Sequence, residues 1–325
     1  MIISKTPFRI SLIGGGTDFP DYYKKFPGLV IGGTIDKYCY VSARFLPNVF
    51  DYKHRIVWSK NEVVNKNNEI FHPTVKAVFN NLKVSKGLEI HYQGDLQKNS
   101  GLGTSSSFCV GLINSIKNLH NQKINKKDLA NISINIEQNV MKEKCGSQDQ
   151  IWAAYGGFNS IEFSKNNFNI KKINISSNKL SNLSKNLFLI YTGINKFSHV
   201  IEKDKISKLN KNSKHLLNIY NLAKNFKYQF LNSKNFDFVG SMLNEYWHIK
   251  KNLSNKVSNH KIEEIYDQSL KAGASGGKII GSGGGGFMLI YCKKKFHSSL
   301  RKRLHKLPII NFKFTNEGSQ IIFKS

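Results

Sequence analysis

The chain has 325 residues, enough for two packed domains or one large one, and is 40% hydrophobic and 12% aromatic with a formal charge of +28. Those apolar fractions exclude a disordered chain, and no uninterrupted apolar run reaches the roughly 18–20 residues that a membrane-spanning helix needs. The charge is mostly Lys, scattered through stretches such as Asn61–Asn68 and Lys203–Lys214 without an Arg cluster, which reads as solvated faces rather than a polyanion groove.

In chain order, short strands are predicted at Ile2–Ile3, Phe8–Ile13 and Thr34–Ala43. Gly14-Gly15-Gly16 interrupts the second run and puts Thr17-Asp18 on a loop. Leu88–Tyr92 alternates like another strand, and a helix should begin near Thr104 and run through Phe108–Ile116. Asn125 and Asp128 resemble a capping box for a helix with Leu129, Ile132, Ile136 and Val140 on one face. Phe158–Ile175 alternates like a hairpin, and the polar stretch Ser176–Lys185 suggests a domain boundary near 180. Leu187–Tyr191 reads as a buried strand, Lys196 to Lys271 as mostly helical, and Lys278–Ile280 and Phe287–Tyr291 as strands. Strands and helices mixed without βαβ alternation point to α+β.

Cys39, Cys109, Cys145 and Cys292 form no C-x-x-C pair, against a zinc site or disulfide framework and for a reducing compartment. Met1–Pro7 has no signal-like apolar stretch, so a cytoplasmic protein without membrane partners is expected.

Three glycine-bearing segments carry chemistry. Asn99–Ser107 (NSGLGTSSS) lies between a strand and a helix, where glycines admit a phosphate and the helix's first N–H groups and dipole favour an anion. Four consecutive hydroxyl residues exceed what an N-cap requires. Gly281–Gly286 matches G-x-G-x-x-G formally, but Phe287–Tyr291 reads as a strand where a dinucleotide fingerprint opens a helix. It is better read as a turn where another backbone or a ligand packs closely. Ile279 after Gly277-Lys278 rules out a Walker A motif. Gly14–Asp18 alone is an ordinary turn signal.

Together, PFRISLIGGGTD at 7–18, GLGTSSS at 101–107 and GASGGKIIGSGGGGF at 273–287 resemble the three signature motifs of the GHMP kinases. Within them, TPFRISLIGGGTDFP, GLGTSSSF, CGSQDQIWAAYGGFN and Trp247–Leu253 look most like the D-glycero-D-manno-heptose 7-phosphate kinases. The resemblance implies a two-domain α+β fold, a ribosomal-protein-like domain over 1–180 and a ferredoxin-like one over 181–325. It implies ATP and Mg²⁺ as cofactors and a sugar phosphate as acceptor, on the route to nucleotide-activated heptose for surface polysaccharide.

Residue by residue, the resemblance makes Asp149 the base or orienter of the sugar hydroxyl and Arg9 its cationic partner. The bland alternative for Asp149 is a helix-start carboxylate. Ser100, Gly101, Leu102, Gly103, Thr104, Ser105 and Ser106 would hold ATP; Glu137 with Thr104 or Ser105 would hold the metal. Glu137 has an exposed helical glutamate as its alternative. Gly15, Gly16, Thr17, Asp18, Gly283 and Gly284 would hold the acceptor. Gly15 and Gly16 stand where galactokinases carry Glu-His, which leaves room for a larger sugar. Lys250, Lys251, Lys278 and Arg44 are candidates for the substrate's phosphate, and Trp247 either stacks on a ligand or packs in the core. A kinase for another sugar, such as mannose, fucose or a different heptose, is the alternative within the class; a basic nucleic-acid-binding protein on the same architecture is the competing class, which would need neither Glu137 nor Asp149 and would bind in a steeply salt-dependent way.

Overall fold

The computed structural model describes residues 1–97, 100–165, 167–195, 198–208, 211–233 and 235–325. Asn99, the first residue of the hydroxyl-rich segment, and Lys196, the expected start of the helical region, lie outside them. The first part comprises β1 (Ile2–Ile13), α1 (Pro20–Tyr23), β2 (Gly28–Phe45), β3 (His54–Val57), β4 (Asn61–Val64), α2 (Pro73–Asn81) and β5 (Leu88–Gly94). There follow α3 (Thr104–Leu119), α4 (Lys126–Asn135), α5 (Gln148–Tyr155), β6 (Phe158–Ser164) and β7 (Asn167–Lys172). The second part holds α6 (Ser177–Lys185), β8 (Leu187–Tyr191), α7 (Ser198–Ser207), α8 (Ser213–Asn232), α9 (Phe238–Lys251) and α10 (His260–Lys271). It continues with β9 (Ala274–Ile279), β10 (Phe287–Cys292), α11 (His297–Arg303), β11 (Ile309–Ile310) and β12 (Gln320–Lys324). The architecture is α+β.

The eight-stranded first sheet runs β12-β1-β2-β5-β3-β4, with β6 and then β7 branching from β2. The 18-residue β2 makes this possible: residues 28–33 pair with β6 and residues 39–45 with β5, while β1 lies along its other edge. The second sheet, β11-β8-β10-β9, is antiparallel. The strands expected at Ile2–Ile3 and Phe8–Ile13 are one strand. Pro7 lacks an N–H for the ladder, so it marks an irregularity, with a register shift between Pro7 and Arg9, and not a break. Freed from β2 at this point, the Arg9 N–H donates to the Leu102 carbonyl at 3.0 Å.

The boundary placed at 180 falls inside α6, capped by the Ser176 hydroxyl accepting from the Lys179 N–H. A hydrophobic cluster spans both parts, with Phe158 of β6 stacked on Phe230 of α8 at 5.1 Å. β12 crosses back to β1, pairing Ile2 with Lys324 and Lys5 with Gln320, and Lys5 also meets Glu317 at 2.8 Å. No helix among the described residues is long and apolar enough to cross a membrane.

Beyond α4 the backbone widens into a π-turn, Ile136–Val140, with the Met141 N–H bonded to the Ile136 carbonyl. Such turns add a residue per turn and shift the faces that follow. Leu129 and Ile136 are buried, but Val140 is 45% exposed, so the face expected from Leu129 to Val140 ends early. Glu137 is the residue turned inward, 1% exposed.

Gly14 shows how tightly the first turn is built. Its φ is +93°, and a Cβ there would sit 1.9 Å from the Leu29 carbonyl oxygen. Gly14→Ala is therefore expected to cost about 3 kcal/mol or more. Thermal and urea denaturation would measure this; a loss near zero would mean the turn can relax.

Candidate active site

A cavity of about 310 Å³ lies where the ends of β1, α3 and α5 meet α7, α9 and β9. Its floor is an ion pair. Arg9 on β1 donates from Nε to Asp149 Oδ1 at 2.7 Å and from Nη2 to Oδ2 at 2.6 Å, a bidentate pairing. The third guanidinium nitrogen, Nη1, donates to the Gly101 carbonyl at 2.6 Å. All three guanidinium nitrogens of Arg9 thus donate within the protein and the residue is 4% exposed, while Asp149, in the first turn of α5, keeps one side on the cavity.

The start of α3 closes over this pair. Gly101 and Gly103 have φ of +87° and +75°, and a Cβ on Gly103 would lie 3.3 Å from both Arg9 Cγ and Asp149 Oδ2. Glycine lets the helix's unpaired N–H groups come this near the carboxylate. Gly101, Gly103, Thr104, Ser105 and Ser106 line the cavity. Ser100 and Leu102 do not. The Ser100 carbonyl accepts from the Phe287 N–H at 3.1 Å, joining this loop to β10, and Leu102 is buried.

Glu137 is buried, so the surface-glutamate alternative is set aside. It accepts from Ser106 Oγ at 2.8 Å and from Gln150 Nε2, while its Oε1 has no partner among the described residues. Burial, with Glu143 adding, pushes its carboxyl up to about 8. The hydroxyl at Glu137 therefore comes from Ser106, neither Thr104 nor Ser105 as expected; Thr104 and the exposed Ser105 stand at the cavity wall nearby in sequence. A buried, half-satisfied carboxylate beside hydroxyls is a hard-oxygen set that fits Mg²⁺.

Asp18 is fully buried, and burial, with Asp149 adding, pushes its carboxyl up to about 6. Its Oδ1 accepts from the Gly16 N–H at 2.9 Å and its Oδ2 from the Gln148 N–H at 3.4 Å. Gly15, Gly16 and Asp18 line the cavity, and the Gly15 carbonyl accepts from the buried Tyr246 hydroxyl at 2.8 Å. Thr17 is turned inward, its hydroxyl bonded to the Gly14 carbonyl and the Leu29 N–H.

Gly283 and Gly284, expected at the acceptor, face the protein. A Cβ on Gly283 would lie 2.8 Å from the Val257 carbonyl, the Gly284 N–H donates to that same carbonyl at 2.7 Å, and Ile201 packs against it. Their neighbours Gly281 and Ser282 reach the cavity. Arg44 pairs with Glu89 and Lys251 with Glu263, both away from the cavity, while Trp247 is buried in the second core. Lys250 lines the cavity, but its ammonium is bound to the carbonyls of Ile279 and Gly281 at 2.8 and 2.6 Å. Lys278 also lines it.

Sequence reasoning passed over Ser11 and Gln148. Both line the cavity, and Ser11 Oγ and Gln148 Oε1 are buried with no partner among the described residues. The alternation of β1 could have shown that Ser11 shares the face of Arg9. It also passed over α7, which contributes His199, Glu202 and Lys205 to the cavity wall.

Comparison with known proteins bears on this arrangement. Residues 69–157 match the GHMP kinases N terminal domain and residues 226–304 the GHMP kinases C terminal family. The chain is 29% identical to D-glycero-alpha-D-manno-heptose 7-phosphate kinase of Campylobacter jejuni, across 98% of this chain and 97% of that protein. The crystal structure of a D-glycero-D-manno-heptose 1-phosphate kinase from Bacteroides thetaiotaomicron superposes with a TM-score of 0.81 at 19% identity, over all of both chains. A Campylobacter jejuni protein assigned as a sugar kinase gives 0.69 at 25% identity, over 99% of this chain and 98% of that one.

Proposed function

Since the chain belongs to the GHMP kinases, whose two domain families together span more than half of it, we propose that it phosphorylates the anomeric hydroxyl of D-glycero-D-manno-heptose 7-phosphate with ATP. The product would be the 1,7-bisphosphate, feeding nucleotide-activated heptose synthesis in the cytoplasm for lipopolysaccharide or capsule. The observation that carries the reading is the Arg9–Asp149 pair, set within one cavity between the N-terminus of α3 and the buried Asp18.

Phosphoryl transfer asks the protein for alignment and charge stabilisation. Asp149 accepts the proton of the attacking hydroxyl, and Arg9, donating to both its oxygens, holds the carboxylate aimed into the cavity. The N–H groups at the start of α3, with the Thr104 and Ser105 hydroxyls, bind the ATP phosphates. Glu137 and Ser106 would hold Mg²⁺, which when bound neutralises phosphate charge. Asp18 and Gln148 accept from or donate to the sugar's hydroxyls. With Gly15 and Gly16 bearing no side chains, the wall beside Asp18 is open to a seven-carbon sugar.

The charge of the cavity speaks against the nucleic-acid reading. Five of the chain's 21 acidic residues (Asp18, Glu137, Glu143, Asp149 and Glu202) line it, so a cleft in a +28 protein is not a cationic groove.

ADP release should be measured with heptose 7-phosphate, mannose, mannose 6-phosphate, fucose and galactose. Mg²⁺-dependent turnover with heptose 7-phosphate is expected, with the new phosphate on C1 by ³¹P NMR. Turnover with free hexoses and none with the heptose phosphate would sink the assignment.

A further inference from the structure

Lys278 is 2% exposed and lines the cavity, yet its ammonium makes no hydrogen bond among the described residues. What it has is the Tyr246 ring, 4.4 Å from Nζ to the centroid, and Tyr246 is pinned through its hydroxyl to Gly15. Burial first, then Arg9 and Lys205, push the Lys278 ammonium well below the usual lysine range, with Asp18 opposing. A buried cation with two further cations within electrostatic reach and no hydrogen-bonded counter-ion is short of an anion. The other cavity cations differ. Arg9 is committed to Asp149 and Gly101, and Lys250 to two carbonyls. Lys205 on α7, with a side chain 10% exposed, is ion-paired with Glu202 at 2.8 Å, but Glu202 Oε2 accepts no hydrogen bond among the described residues. Beside them, Ser11 Oγ is buried and without a partner among the described residues.

We propose that Lys278, with Lys205 and Ser11, is the receptor for the phosphate that the acceptor already carries, as distinct from the phosphoryl group being transferred. This rests on the sugar-phosphate reading above. A phosphate here supplies both the missing counter-charge and acceptors for three donors aimed into the same cavity. It also divides the labour of the site: Arg9 and Asp149 serve the reacting hydroxyl, and the β9 and α7 lysines hold the far end of the substrate.

The test compares wild type, Lys278→Met and Lys205→Ala on heptose 7-phosphate and on the same heptose without phosphate, with inorganic phosphate as a competing probe. Lys278→Met should raise KM for the sugar phosphate at least about 30-fold, leave KM for ATP unchanged and erase the preference over the unphosphorylated sugar. Lys205→Ala should act in the same direction to a smaller extent. Inorganic phosphate should compete with the acceptor in wild type and much less in Lys278→Met. Equal loss of kcat on both sugars with unchanged KM would put Lys278 on the transferred group and overturn the proposal. Should Lys278→Met fail to fold, an unchanged KM for the sugar phosphate in Lys205→Ala would overturn it too. A wild type with no preference for the phosphorylated sugar would overturn the functional reading itself, before any variant is made.

Discussion

Asp149→Asn is expected to lower kcat by about 10²–10⁴-fold, with KM for both substrates changed little. The carboxylate is held at two points by Arg9, at 2.7 and 2.6 Å, so the geometry around it is set before substrate arrives. Asparagine has the same shape but cannot take up the hydroxyl's proton. Its amide would also turn a donor toward one of the guanidinium's own donors, loosening the pair. Steady-state kinetics at saturating ATP and acceptor would measure the loss. Circular dichroism would show that the fold survives. An unchanged kcat would mean that Asp149 is only the helix-start carboxylate and Arg9's structural partner.

Asp18→Asn should separate stability from activity. Asp18 is buried, and its folded carboxyl sits at about 6 against an ordinary 3.8. The folded state therefore holds this proton more tightly than the unfolded chain. The group's contribution is most favourable below 3.8 and is lost as pH rises through about 6. Two units correspond to on the order of 3 kcal/mol. Asparagine does not titrate, so between pH 4 and 7 the stability difference should move in the variant's favour by about that amount. Over the same range wild-type kcat/KM for the acceptor should climb as Asp18 ionises. The variant, lacking the charged acceptor for sugar hydroxyls, should lose about 10-fold or more at neutral pH. Urea titrations at several pH values and a pH–rate profile would decide it. A stability difference independent of pH would show that Asp18 is ionised throughout.

Much of the fold was legible because it is local. Leu187–Tyr191 and Phe287–Cys292 are apolar runs bounded by turns, and the start of α3 is announced by glycines and hydroxyls. β12 was not legible, since Gln320–Lys324 is a short, largely exposed edge whose only reason to be a strand is β1, over 300 residues away. The hairpin of β3 and β4 was missed for a related reason: β4 is a four-residue, half-exposed strand and gains its order from β3.

In the site, residues carried by glycine motifs were legible and those placed by tertiary packing were not. Gly15, Gly16, Gly103 and Asp18 fall at the cavity. Gly283 and Gly284 belong to a motif just as conspicuous, but it serves the backbone of Val257. The burial of Glu137 follows from a π-turn, which has no residue signature. Lys205 lies in a run that looked like solvated surface, because the four polar residues Glu202–Lys205 do not reveal which of them the folded chain will cover.

The crossing of β12 onto β1 also has a temporal side. A ribosome delivers residues 2–13 first and residues 320–324 some three hundred residues later. Until then the outer edge of β1, from Ile2 to Lys5, has no partner, and an unpaired edge invites foreign strands. Pairing over such a separation is slow to form. The nascent enzyme is thus expected to pass through an interval in which its nucleotide-loop half is present but its sheet is still open. Expressing residues 1–180 by themselves would leave that half permanently in the same state.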